Sequence, residues 1–394
     1  MLGAFALTAA AFSSPMRAIR SLPDTARSSS KLPGAAYTNS FFNGAQTASA
    51  QFAESLADAN GRITYRLFGV LPLRTVQLVS DETVLLTPGG TAVGITIRTE
   101  GVLIVGLGSV DTPDGPVSPA AASGLTVGDV ILSVNGQTLS GGDQLSDILK
   151  SCRGTLQLSV LRGTQLITLS AMPANASDGS VRLGAWVRDS TAGVGTISFY
   201  DGVTKRYAAL GHAVSDVDTH TLISIREGRL LPSEIVSIVP GSEGAPGELT
   251  GAFSVSGDAL GTIDKNTEYG IYGRLFAAYE NGFCSELPLA LPGEAHTGGA
   301  TLLTTISDGG VRPFTCEITR VSAQTAPAPK GLVVEITDPA LIAATGGIVQ
   351  GMSGSPVLQD GKLVGVITHV FVNDPLKGYC VYAKWMFDRM NEAS

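Results

Sequence analysis

The chain has 394 residues, of which 48 are Gly and 20 are Pro, so glycine makes up roughly 12% against about 7% in average usage. Hydrophobic residues at 44% and a mean hydropathy of +0.24 exclude a disordered chain, and a charged fraction of 15% excludes a coiled coil or helical repeat. A formal charge of −8 and a pI near 5.1 exclude a basic nucleic-acid footprint, leaving a strand- and turn-rich protein long enough for two or three domains.

In chain order, residues 1–15 open with the apolar run from Met1 to Phe12, followed by Ser13-Ser14-Pro15. The run is too short to span a bilayer, which takes about 20 residues, and lacks basic residues in front. It reads as the truncated remainder of an export signal or membrane anchor, with a small buried helix as the alternative. Residues 16–60, rich in Ser, Ala, Asn and Thr, read as a linker with one helix expected around 46–59. Residues 61–87 form a short β segment, with strand runs expected at 63–68, 74–78 and 84–86 before the turn Pro88-Gly89-Gly90. The four cysteines show no CxxC spacing, so no metal site is expected. Most should be buried thiols, Cys284 and Cys316 being the pair considered for a bridge.

Residues 88–173 read as one unit. A glycine-bearing β-run, Val93-Gly94-Ile95-Thr96-Ile97, precedes an apolar strand at 102–105. A small-residue turn reaches Gly124-Leu125, and Gly128-Asp129 leads into a strand ending at Asn135-Gly136. A helix at 144–151 and strands at 154–162 and 165–172 follow. This combination resembles a PDZ domain, whose groove accepts an extended peptide as an added strand. On that resemblance Gly90, Val93, Gly94 and Ile95 are the expected peptide-binding residues. They depart from the commoner Gly-Leu-Gly-Phe form, so an internal or tethered segment is a candidate ligand. The competing reading is a structural spacer.

Residues 178–394 contain Gly351-Met352-Ser353-Gly354-Ser355-Pro356, followed by a strand, an Asp360-Gly361 turn and a return strand reaching His369. Glycines on both sides of Ser353 let the N–H groups of Gly351 and Ser353 aim at one point, as an oxyanion hole requires. The segment resembles the nucleophile signature of chymotrypsin-fold serine proteases. A serine needs a base. Of four histidines, His212 lies in the small, apolar Gly211-His212-Ala213 context; His220 and His296 sit in polar loops, and His369 is expected to line the cleft. An orienting acid is also required, and spacing leaves Asp216, Asp218, Asp258, Asp264 and Asp338 open. The expected fold is therefore mainly β: a PDZ domain followed by a chymotrypsin-like double β-barrel.

Over 61–390 the chain resembles the stage IV sporulation protein B family of serine endopeptidases. Gly211-His212-Ala213, Ile336-Thr337-Asp338-Pro339, the segment around Ser353 and Thr368-His369-Val370-Phe371 carry the resemblance, with Arg66-Leu67-Phe68-Gly69 and Ile263-Asp264-Lys265-Asn266 upstream. The resemblance implies His212, Asp338 and Ser353 as base, orienting acid and nucleophile. It implies no cofactor, and export from the forespore into the space between the two membranes of a developing spore. The implied partners are protein or peptide substrates, namely the chain's own N-terminal segment and a membrane-bound regulator whose cleavage triggers the late sigma factor. Met352 stands where many such enzymes carry an Asp that pairs with a new N-terminus, so control is expected instead from the PDZ unit and removal of the N-terminal segment. The alternative function is a peptide-binding scaffold with an inactive protease fold. A quality-control protease of the high-temperature-requirement type is disfavoured, because those enzymes place the protease domain first.

Overall fold

The computed structural model describes residues 84–282 and 286–392, and the backbone of four upstream strands. Those strands form one sheet in the spatial order Thr25–Ser28, Leu71–Ser80, Arg62–Leu67, Phe52–Glu54. Phe52–Glu54 is extended where a helix was expected over 46–59, because it pairs antiparallel with Arg62–Leu67 and pairing overrides a weak local preference. Residues 1–15 lie outside the described residues. This N-terminal unit and residues 85–394 are separate compact units.

The second unit begins with β1 (Leu85–Pro88) and the sixteen-residue β2 (Ala92–Leu107). β2 serves two cores. Val93, Ile95 and Ile97 are buried in a first barrel, whereas Val102 and Ile104 are buried in a PDZ-like module. That module continues with α1 (Pro119–Ala122), β3 (Val130–Val134), α2 (Gly142–Ser151), β4 (Leu156–Arg162) and β5 (Gln165–Ala171). Its sheet runs in the order β5-β4-β3-β2. The Gly128-Asp129 motif has a structural task here: the Asp129 carboxylate accepts from the Thr126 N–H and from two nitrogens of Arg162 at 2.8 and 2.7 Å. Burial pushes that carboxyl upward, but Arg162 and the Thr126 N–H outweigh it and hold it below its ordinary value.

The seventeen-residue β6 (Ala185–Asp201) returns antiparallel along β2. Residues 185–188 complete the module's sheet and 190–196 pair with the barrel half of β2. The first barrel is an open sheet of β2, β6, β7 (Arg206–Ala209) and β9 (Gly270–Arg274), with β8 (Ile225–Pro232) on the other edge of β2. The module and this barrel thus share two strands, and residues 92–98 belong to the barrel although the sequence grouped them with the PDZ unit.

The second barrel is closed, in the order β10 (Gly298–Thr304), β11 (Arg312–Val321), β12 (Leu332–Ile336), β15 (Asp374–Tyr382), β14 (Lys362–Phe371) and β13 (Pro356–Gln359). Its core contains Cys316 and Cys380, both free thiols. The bridge considered for Cys316 is not formed, and Cys284 lies outside the described residues; burial pushes the Cys316 thiol up to about 12. Two helices were missed from the sequence, α3 (Pro339–Thr345) and α4 (Ala383–Asn391). α4 buries Ala383, Met386 and Met390 and spans the two barrels, with the Met390 carbonyl accepting from Arg206 at 2.7 Å.

Asp129→Ala removes a carboxylate only 1% exposed and strands the Arg162 guanidinium, which is 42% exposed. With that partial exposure, the expected loss is about 2 kcal/mol, read from the urea midpoint.

Candidate active site

The histidine and serine segments meet where the two barrels touch. β7 is followed by Leu210 (φ +71°) and Gly211 (φ +72°), both left-handed, a costly conformation for leucine. A Cβ on Gly211 would lie 3.0 Å from Thr368 Cγ2 and 3.2 Å from the Ile367 carbonyl, so the backbone before His212 lies directly on β14. Gly354 (φ +103°) is tighter still: its Cβ would fall 2.0 Å from the Thr196 oxygen and 2.7 Å from the Leu210 nitrogen. Thr196, 1% exposed, completes the junction. Its N–H donates to the Ser353 carbonyl at 3.1 Å, its hydroxyl to the Gly351 carbonyl at 2.8 Å, and its own carbonyl accepts from Leu210 at 3.2 Å.

This junction opens into a cleft of about 470 Å³ lined by His212, Ser353, Thr368, His369 and Gly351, with residues 191–194 of β6 along one side. Ser353 Oγ donates to the Thr368 carbonyl at 2.9 Å. His212 Nδ1 sits 2.8 Å from the Ala213 carbonyl, which makes Nδ1 the protonated nitrogen of the neutral ring and leaves Nε2 as the free acceptor. His369, on β14, lies beside it with ring centroids 5.1 Å apart. Burial lowers the pKa of both rings; for His212 the Ala213 carbonyl opposes this, and for His369 the neighbouring His212 and Lys330 add to it. Among the described residues neither the Gly351 nor the Ser353 N–H donates a hydrogen bond, so both remain free for a developing oxyanion. Met352 is fully buried in the second barrel.

The structure does not bring Asp338 to this cleft. Asp338 is the N-cap of α3, where its carboxylate accepts from the N–H groups of Ala340 at 2.9 Å, Thr315 at 3.1 Å and Leu341 at 3.2 Å. Burial raises its pKa, but the backbone donors at Thr315, Leu341 and Ala340 outweigh burial and leave it lowered. The signal was legible: Asp followed by Pro is a helix N-cap and first-turn pair. Asp216 is engaged by Arg188 and by the Thr219 N–H and hydroxyl, and Asp218 by Arg188. No carboxylate of the described residues lines the cleft. His220 is exposed, and His296 is exposed and paired with Asp360.

The expected peptide-binding residues also lie elsewhere. Val93 and Ile95 are buried in the first barrel, Gly94 faces the Phe253 ring, and a Cβ on Gly90 would lie 2.7 Å from Val311. No peptide strand can add at 93–95, because β6 and β8 already occupy both edges. The module's groove, about 340 Å³, runs instead between α2 and residues 185–187 of β6. Its sequence signal is Arg182-Leu183-Gly184-Ala185, an apolar-Gly-apolar turn entering a strand.

A closed six-stranded barrel packed on an open one, with serine and histidine lining one cleft at the junction, defines a chymotrypsin-like serine peptidase. Residues 179–387 match the family described as SpoIVB peptidase S55, and residues 115–157 match a PDZ domain. The first match covers just over half of the sequence, and the chain belongs to the SpoIVB peptidase S55 family: it is a sporulation serine peptidase with a PDZ domain. A 58-residue segment is 38% identical to serine protease HTRA1 of Xenopus laevis, covering 15% of this chain and 12% of that protein. A solved PDZ domain of an SdrC-like protein from Listeria monocytogenes is 20% identical, covering 22% of this chain and 87% of that one at a TM-score of 0.18.

Two measurements check this geometry. A base must be neutral to accept a proton and the His212 pKa is lowered, so the acid limb of kcat/KM should fall below pH 6.5 in a pH–rate profile. Loss of the α3 cap in Asp338→Ala should cost about 1 kcal/mol in urea unfolding, and Asp338→Ser should recover most of it.

Proposed function

We propose that this peptidase is exported and cuts first its own N-terminal segment and then a membrane-bound regulatory protein, triggering late sigma-factor activation. It would act in the space between the forespore and mother-cell membranes, anchored in the membrane until processed. Family membership supports the biological setting. The observation that carries the chemistry is that His212 and Ser353 line one cleft, with the His212 tautomer already set by the Ala213 carbonyl.

The steps follow from these contacts. At rest the Ser353 hydroxyl is held by the Thr368 carbonyl. A substrate strand whose N–H takes that carbonyl releases the hydroxyl, and rotation about χ1 turns it toward His212 Nε2. His212 accepts the proton as Ser353 Oγ attacks the scissile carbonyl, and the Gly351 and Ser353 N–H groups hold the oxyanion. The tetrahedral intermediate collapses as His212 returns the proton to the departing amine. Water then repeats the sequence on the acyl-enzyme. The imidazolium is stabilised by the Ala213 carbonyl rather than by a carboxylate. With Met352 buried, no ion pair at that position can organise the oxyanion hole. No helix of the described residues is long and apolar enough to cross a membrane.

The test is N-terminal sequencing of purified wild-type and Ser353→Ala protein with a reactive-serine probe. Wild type should label and show several N-termini; Ser353→Ala should show neither, and His212→Ala should lose at least about 10³-fold in rate. Labelling that persists in Ser353→Ala would exclude this nucleophile. An unlabelled, uncut wild type would favour a peptide-binding scaffold.

A further inference from the structure

β6 runs from the module's groove to the catalytic cleft as one strand, its pairing with β2 shifting register between Trp186 and Val187 and again between Arg188 and Ser190. Its one edge pairs with β2 over 185–188 and again over 190–196. Among the described residues no strand pairs with the opposite edge before Ile197, where β7 begins, and its first backbone partners are at Thr196, which is held by Ser353 and Leu210. At the head of that free edge Ala185 and Val187 line the groove with Leu145, Ser146 and Leu149 of α2. Further along, residues 191–194 line the cleft with His212 and Ser353. Midway, the Asp189 carboxylate accepts from the Gly142 N–H at 2.8 Å, which ties the start of α2 to the strand between groove and cleft.

The groove's outer end is built for a chain terminus. The Leu183 carbonyl accepts from Ala120 and the Gly184 carbonyl from Gly108, at 2.8 and 2.9 Å, which turns both carbonyls into the module. Gly184 holds φ +73°, and among the described residues the Leu183 and Gly184 N–H groups donate no hydrogen bond. Two adjacent free N–H groups at the mouth of an apolar groove suit a carboxylate. Trp186, 63% exposed, flanks the groove over Gly106 and Gly108.

Strand polarity then fixes the direction. A peptide added antiparallel to β6 with its carboxylate at Leu183 and Gly184 runs back toward Val194, and so enters the cleft with its upstream end. With β14 holding the residues before the scissile bond, β6 is left for those after it. We propose that groove and cleft bind one chain: a substrate whose free C-terminus is held by the module and whose scissile bond lies about nine residues upstream, the span of extended chain from Ala185 to Val194. For substrates that present a free C-terminus the module is then a ruler that selects cleavage near that end, and the cut in the chain's own N-terminal segment proceeds without it. This rests on the assignment of Ser353 and His212 above.

The test uses a mixed library of 16-residue synthetic peptides, with free or amidated C-termini, incubated with the full chain and read by mass spectrometry. Ser353-dependent cuts should cluster about eight to ten residues from the free C-terminus. Amidation, or Ser146→Trp filling the groove, should abolish the cluster and slow cleavage by about tenfold or more, because docking raises the effective substrate concentration. Ser353-dependent cuts at no preferred distance, or unchanged by amidation, overturn the ruler and leave the peptidase assignment standing. Absence of any Ser353-dependent hydrolysis instead removes that assignment. Docking is then decided with Ser353→Ala and peptides bearing a benzophenone nine residues from the C-terminus. Carboxylate-dependent crosslinks to 191–194 support a shared edge, and crosslinks elsewhere or with amides alike overturn it.

Discussion

The hydrogen bonds of Thr196 are the joint on which the catalytic geometry depends. One residue of the first barrel holds two carbonyls of the nucleophile loop, and its own carbonyl receives the N–H of Leu210, two residues before the histidine. Both chemical segments are therefore referenced to one backbone point. The contact is possible only because Gly354 has no side chain to place between the Thr196 oxygen and the Leu210 nitrogen. Main-chain packing at this distance transmits small shifts directly, so barrel separation and loss of the Ser–His geometry are one event.

The same joint explains where the local strain is stored. Leu210 sits in a left-handed conformation that costs a leucine of order 1–3 kcal/mol, and its neighbours over-determine it: Gly211 on β14, Gly195 beneath its side chain and Gly354 across its nitrogen. A cluster of glycines thus holds one strained leucine and, through it, the adjacent imidazole.

The parts of the fold that were legible in sequence are those that local pattern dictates. The Gly128-Asp129 turn, the α2 helix and the hairpin at Asp360-Gly361 all rest on short-range chemistry, and the small residues around Ser353 and His212 singled out two side chains that line one cleft. What was missed depends on tertiary pairing. Nothing in Val93-Gly94-Ile95 distinguishes a groove strand from a barrel strand; the difference lies in β8, more than a hundred residues later, which covers the free edge. Asp338 was taken from the family resemblance, spacing having left it one of five candidates, although the adjoining Pro339 already carried a helix-start signal. The Arg182-Leu183-Gly184-Ala185 turn was overlooked because the groove strand follows the module here and flows straight into the peptidase.

The position of β15 and α4 has a consequence for the order in which the enzyme comes into being. β15 lies between β12 and β14 in the closed barrel, and α4 spans both barrels, yet both elements follow the nucleophile in the chain. During synthesis the Ser353 loop emerges while its barrel still lacks a wall, and long-range strands cannot pair before they exist. Residues 374–391 must be made and threaded into place before the serine and histidine can be held together. A chain cut short before residue 374 therefore lacks both the wall that closes the second barrel and the helix that braces it against the first.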